Sequence, residues 1–153
     1  MKELLHAYKF GGRKYLAHFF VKLMSRFAEN HINKADYGAI VPVPVDAAKM
    51  RERGFNQSAL ISAALARRLG LPHLSGLLRR VTSSSPQSLL PKEDRRSNVA
   101  GCFSVKEAAR IQNKRLLLID DILTTGYTAS EAARVLKEAG ARSVTILASA
   151  RGL

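Results

Sequence analysis

The sequence predicts an α/β domain built on a largely parallel, twisted sheet flanked by helices, and three observations carry that prediction. Apolar runs of strand length alternate with segments of helical period along most of the chain. The run Leu116, Leu117, Leu118, Ile119 is apolar without interruption, as a strand buried on both faces of a parallel sheet requires. Two carboxylates, Asp120 and Asp121, stand where that strand should end, ahead of a hydroxyl-rich turn and a helix. Ligands of open parallel sheets sit beyond the carboxyl ends of the strands.

Taken in order, residues 2–9 read as a short helix ending at Gly11 and Gly12. Tyr15, Leu16, Phe19, Phe20, Leu23, Met24 and Phe27 then form one broad stripe of an amphipathic helix, and these aromatics are expected in the core. Residues 39–45 are the next strand, with Pro42 and Pro44 confined to an edge, an end or a bulge because they donate no ladder hydrogen bond. A basic, glycine-containing turn spans 49–57. A helix over 57–69 follows, with Asn56 as N-cap, Gly70 beyond its end and Leu60, Ile61, Ala64, Leu65 and Leu69 inward. Residues 74–81 and 102–105 read as strands, with a short helix near 107–111. Residues 129–139 are helical and 143–150 form a final apolar strand. The polar stretch 82–100 is longer than most loops in compact domains, which predicts a functional lid or a disordered segment.

A chain of 153 residues suits a single domain. Its 25 Lys and Arg against 12 Asp and Glu give a net charge of +13, which favours polyanions such as nucleotides, diphosphates or nucleic acid; a merely soluble basic surface is the alternative. The single cysteine, Cys102, cannot form an internal disulfide and is expected to pack a strand, which fits a cytoplasmic location. No apolar run approaches the ~18 residues of a membrane span, and the first residues do not begin a signal peptide. His6, His18, His31 and His73 show no metal-ligand spacing, so surface or packing roles are expected for all four.

The chemistry concentrates at 116–128. Unpaired N–H groups at a helix start, with the helix dipole, make an anion site. Gly126 lets backbone approach a bound group, and Thr124, Thr125 and Thr128 supply hydroxyls. Adjacent carboxylates repel a bare phosphate but accept hydrogen bonds from ribose hydroxyls or bind magnesium. A ligand with a phosphate at one end and a diol near the other matches both features. The simpler reading, a capping box of Thr128 and Glu131, explains neither the Asp pair nor the Thr pair. No G-x-G-x-x-G occurs, which disfavours a dinucleotide site. Lys49, Arg51 and Arg53 ahead of Gly54 could hold a diphosphate bidentately or be surface charge.

The run from Leu116 to Thr128 resembles the phosphoribosyl-diphosphate motif of type I phosphoribosyltransferases at every position: four hydrophobic, two acidic, two hydrophobic, Thr-Thr-Gly, any residue, Thr. Further stretches are similar to the ComF/GntX family of competence-related members: Tyr8 to Gly12, Val41 to Pro44, Arg53 to Gln57, Pro86 with Gln87, Arg95 with Asn98, and Ala148 to Arg151. The resemblance implies a type I phosphoribosyltransferase fold with a small N-terminal hood (1–37), a core (38–153) and a mobile catalytic flap (82–100) whose charged tip is Arg95 and Arg96. It assigns the 5′-phosphate to Thr124, Thr125, Gly126, Tyr127 and Thr128, and the ribose hydroxyls to Asp120 and Asp121. Magnesium goes to the same carboxylates, directly or through water, and the diphosphate to the loop with Lys49, Arg51, Arg53 and Gly54. Family members usually begin with a cysteine-rich zinc module. This chain has no such cysteines, so the module is absent or the chain is a fragment, and zinc binding is not carried over.

The function expected from the resemblance is transfer of phosphoribose from magnesium–phosphoribosyl diphosphate to an acceptor, linked to DNA uptake and competence-machinery partners. No general base is evident, so the acceptor would bring its own nucleophile. The rival from a different class is a non-catalytic competence protein that binds single-stranded DNA and uses the phosphoribosyl pocket as a ligand sensor. Excess charge supports the rival, but few aromatics accompany the basic runs.

Overall fold

The structure, a computed structural model, describes residues 14–81 and 101–151. The expected helix at 2–9 and flap at 82–100, with Arg95 and Arg96, lie outside the described residues. The described elements are α1 (Lys14–His31), β1 (Ala39–Pro42), α2 (Ala47–Arg53), α3 (Gln57–Leu69), β2 (Leu78–Arg80), β3 (Phe103–Val105), β4 (Arg115–Leu123), α4 (Tyr127–Glu138) and β5 (Ser143–Arg151). Two short 3₁₀ turns, Lys34–Asp36 and Ala108–Ile111, join them.

Three strands form a sheet in the order β1-β4-β5, and both outer strands run parallel to β4. Leu116, Leu117, Leu118 and Ile119 of β4 are all fully buried, as expected of a strand covered on both faces. Alternation sends them to two separate cores. Leu116 and Leu118 join Ala39, Val41, Leu78, Phe103, Ile111, Ala132 and Leu136 on the face covered by α4 and the antiparallel β2–β3 pair. Leu117 and Ile119 join Phe20, Met24, Ala28, Ile40, Ile61 and Leu65 on the face covered by α1 and α3. Each buried Leu, Ile, Val, Phe or Met side chain among them contributes about 1.5–3 kcal/mol of burial.

Several boundaries differ from expectation for identifiable reasons. β1 ends at Pro42 rather than at 45, because neither proline supports a ladder; Val43 N–H still donates to Ile119 O at 2.8 Å. The strand expected over 74–81 shortens to Leu78–Arg80, while the backbone near Leu74 bonds instead to Ile40. The basic stretch at 49–53 is not an open turn. It lies in α2, and Gly54 follows it with φ +73°. α3 has the expected limits, with Asn56 Oδ1 accepting from Ala59 N–H and left-handed Gly70 at its end, but Leu60 faces solvent.

The α1 stripe is split. Phe20, Met24 and Ala28 are buried, whereas Phe19, Leu23 and Phe27 are 49%, 45% and 46% exposed. Residues one apart stand about 100° apart around a helix, and α1 is covered along one line only, so the second row stays outside. Cys102 is buried, as expected. His31 lies exposed against the Phe27 ring, and His73 Nε2 bonds Ser62 Oγ at 2.8 Å; both fit packing roles. Burial, then Arg67, lowers the His73 pKa.

Candidate functional site

β4 does not stop before its carboxylates. It continues to Leu123, with Asp120 opposite Ala148 and Ile122 opposite Ala150 of β5. β1 has already ended opposite Ile119, so beyond that point β4 has a strand partner on one side only. A cleft of about 150 Å³ opens there, lined by Val43, Pro44, Val45 and Asp46 after β1, Arg53 and Ser58 from the α2–α3 junction, Arg80 of β2, and residues 120–126, 128 and 129.

Asp120 is 8% exposed and accepts from two groups. Ser58 Oγ donates to its Oδ1 at 3.4 Å and Asp121 N–H donates to the same oxygen at 2.9 Å. Asp121 Oδ1 accepts from Ile122 N–H at 2.8 Å. Burial pushes the Asp120 pKa up to about 7, the neighbouring Asp121 charge adds to the rise, and the bonds from Asp121 N–H and Ser58 oppose it. Two carboxylates kept this close, one of them buried, cost stability unless a ligand uses them.

The helix start expected at 129 lies at Tyr127, with left-handed Gly126 (φ +79°) as N-cap and no side-chain capping bond. The Thr128–Glu131 capping box is therefore not formed. Glu131 instead accepts from Gly101 N–H at 2.8 Å and pairs with Arg134, whose hydrogen bond is the main cause of a Glu131 pKa lowered to about 2. With a glycine as N-cap and no side-chain capping bond, the start of α4 borders the cleft beside the Thr124, Thr125 and Thr128 hydroxyls, a setting suited to an anion.

The structure thus brings Asp120, Asp121, Thr124, Thr125, Gly126, Thr128 and Arg53 of the expected set to one cleft. Tyr127 opens α4 without lining the cleft, Arg51 is exposed on α2, Gly54 is exposed at its end, and Lys49 is a residue of the same helix. Ser58, Asp46 and Arg80 were not singled out in the sequence. A serine inside an otherwise apolar helical face was the available signal for Ser58. Arg80 had none, because one basic residue in a basic chain does not stand out.

Among the described residues no group of three or more His, Cys, Asp or Glu could hold a metal. A closed protein cage is therefore not formed here, but magnesium commonly keeps its waters and uses one or two carboxylates plus substrate phosphates. The half-buried Asp121, with Asp120 beside it, fits that pattern. Arg53 Nε is buried without a hydrogen-bond partner, so the cleft also carries a donor suited to an anion. No helix among the described residues is long and apolar enough to cross a membrane.

Comparison with known proteins agrees with this geometry. The phosphoribosyl transferase domain model matches residues 56–153. Competence protein F of Haemophilus influenzae is 34% identical over 114 residues, covering 74% of this chain and 50% of that protein. DNA utilization protein YhgH of Salmonella typhimurium is 30% identical over 153 residues, covering 98% of this chain and 66% of that protein. The chain therefore spans half to about two thirds of the length of these relatives. Among solved structures, the allosteric regulatory enzyme of purine biosynthesis superposes with a TM-score of 0.61 at 18% identity, covering 88% of this chain and 26% of that one, which shows a shared fold. With a parallel sheet between helical layers and a motif strand that leads into the helix at the cleft, the chain belongs to the phosphoribosyl transferase domain family and has the type I phosphoribosyltransferase fold.

Proposed function

We propose that this domain binds phosphoribosyl diphosphate with magnesium and transfers its phosphoribosyl group to an acceptor, in a protein that serves DNA uptake. The observation that carries the reading is the meeting of a buried carboxylate pair, an uncapped helix start and Arg53 in one cleft. The α4 amides and the threonine hydroxyls bind the 5′-phosphate. Asp120 and Asp121 accept hydrogen bonds from the ribose hydroxyls, and Ser58 fixes the orientation of Asp120. In the transfer the bond from C1 to the diphosphate oxygen breaks and its electron pair leaves with diphosphate. A bond from C1 to the acceptor's nucleophile forms in its place. Positive charge that develops on the ribose is stabilised by the adjacent carboxylates. Magnesium, held at Asp121 and Asp120 with the diphosphate, would supply charge neutralisation for the leaving group.

Calorimetric titration with magnesium–phosphoribosyl diphosphate tests the binding. The pair Asp120→Asn with Asp121→Asn should weaken it by tenfold or more, because each charge-assisted hydrogen bond is worth about 1.5–3 kcal/mol. Unchanged affinity in the double variant would remove the assignment. A second reading, a non-catalytic protein that binds single-stranded DNA and senses the ligand, draws support from the net charge of +13 and from the names of the relatives. Binding of the ligand without diphosphate release in the presence of any base or amine acceptor would favour it.

A further inference from the structure

Along β2 the side chains alternate: Leu78 is buried, Arg79 is exposed and Arg80 is half-buried at the cleft wall. The Arg80 guanidinium carbon lies 5.7 Å from the centre of the Phe103 ring, and Phe103 is its cross-strand partner on β3. An aromatic face orients a cation without neutralising it, so the charge stays available to a ligand. Arg53 enters the same cleft from the α2–α3 junction, with its Nε unpartnered and its Nη1 at 3.5 Å from Gln57 Oε1. Among the described residues lining the cleft these two are the only cations. The other anion subsite, at the start of α4, is built from neutral donors, backbone amides and threonine hydroxyls, which suit a phosphate monoester. A diphosphate carries more charge and has oxygens facing two directions, so it matches a pair of guanidinium groups that reach in from separate elements.

We infer that Arg80 is a diphosphate-binding residue that works with Arg53 on the leaving group. This rests on the phosphoribosyl-diphosphate reading above. Arg80 is the last residue of β2, and its strand neighbour Val81 donates its N–H to Cys102 O at 2.8 Å, so the guanidinium projects from a paired strand end. A site of this kind is preorganised and pays little ordering entropy on binding.

The test uses the full chain and two probes in the presence of magnesium, inorganic diphosphate and ribose 5-phosphate, each titrated by calorimetry. Arg80→Ala should weaken diphosphate about ten- to a hundredfold, the loss of one or two charge-assisted bonds, and leave ribose 5-phosphate unchanged. Arg80→Lys should recover part of the loss, because it keeps the charge and not the planar fork. Arg79→Ala, on the other face of the strand, should change neither probe, and thermal melts of all three variants confirm that they fold. Diphosphate binding unchanged in Arg80→Ala overturns the inference, and so does loss of ribose 5-phosphate in its place. If the parent chain binds neither probe, the phosphoribosyl-diphosphate reading itself fails; parent binding with an insensitive Arg80 variant removes Arg80 alone.

Discussion

Asp120 should make this protein less stable as the pH rises, and replacing it with asparagine should remove that loss. Its carboxyl has a pKa of about 7 in the fold against an ordinary value of 3.8. Between those values the folded chain holds a proton that the unfolded chain has released. Stability from this group is therefore complete below about pH 4 and is lost progressively as the pH climbs to about 7. A shift of roughly three units at 1.36 kcal/mol each corresponds to about 4 kcal/mol in all. Asp120→Asn keeps an oxygen to accept from Ser58 and Asp121 N–H but never carries the charge. Urea denaturation of both proteins at pH 5 and pH 8 reports the effect of the Asp120–Asp121 pair, because titrating groups distant from it cancel in the difference. The advantage of the asparagine variant should widen by about 2–3 kcal/mol over that interval, roughly the two pH units up to 7 that remain to be crossed. Parallel stability curves for the two proteins would refute the claim that Asp120 is buried and protonated near neutrality.

Three further outcomes are expected. Affinity for magnesium–phosphoribosyl diphosphate should fall as the pH drops from 8 to 6, by up to about tenfold per unit below the Asp120 pKa, since the proton competes with the ligand; calorimetry across that range checks it, and a flat profile counts against Asp120 as a ligand group. Leu118→Ala, at a fully buried position of β4, should cost about 3–5 kcal/mol in urea denaturation, through lost burial and the cavity left behind. The net charge of +13 should give weak, sequence-independent binding to single-stranded DNA that declines steeply with salt, measurable by fluorescence anisotropy. Saturating ligand should leave that binding intact if the two sites are separate, and full competition would place the DNA in the diphosphate site.

How much of this was legible in the sequence depended on how local the signal was. The motif run 116–128 was read almost residue by residue, because strand burial, acid pair and glycine all lie within a few residues of each other. Its bounds were not. β4 runs four residues past Ile119, where the apolar run stops, since β5 continues to pair with it at Asp120, Ile122 and Leu123. The α1 stripe was visible as a period but not as two rows with different fates, because which row is covered depends on where α3 and β5 lie. Arg80 and Ser58 reach the cleft through long-range packing, from positions 40 and 62 residues away from Asp120, which no window of sequence spans.

The two prolines of β1 explain why the cleft is where it is. Pro42 pairs with Ile119, and the last ladder bond on that side runs from Val43 N–H to Ile119 O. Pro44 has no N–H with which to continue, so the chain leaves the sheet one residue before β4 reaches its carboxylates. Had β1 paired for three more residues, it would have covered the flank of β4 on which Asp120, Asp121 and Ile122 face the cleft. The departing segment 43–46 instead forms one wall, and Asn56 Nδ2 ties Val43 O to the start of α3 at 3.1 Å. That bond fixes the α2–α3 junction, and with it Arg53 and Ser58, against the same opening. Chain termination by proline and helix capping by asparagine thus assemble three walls of the site from groups whose local role is only to end a strand and begin a helix.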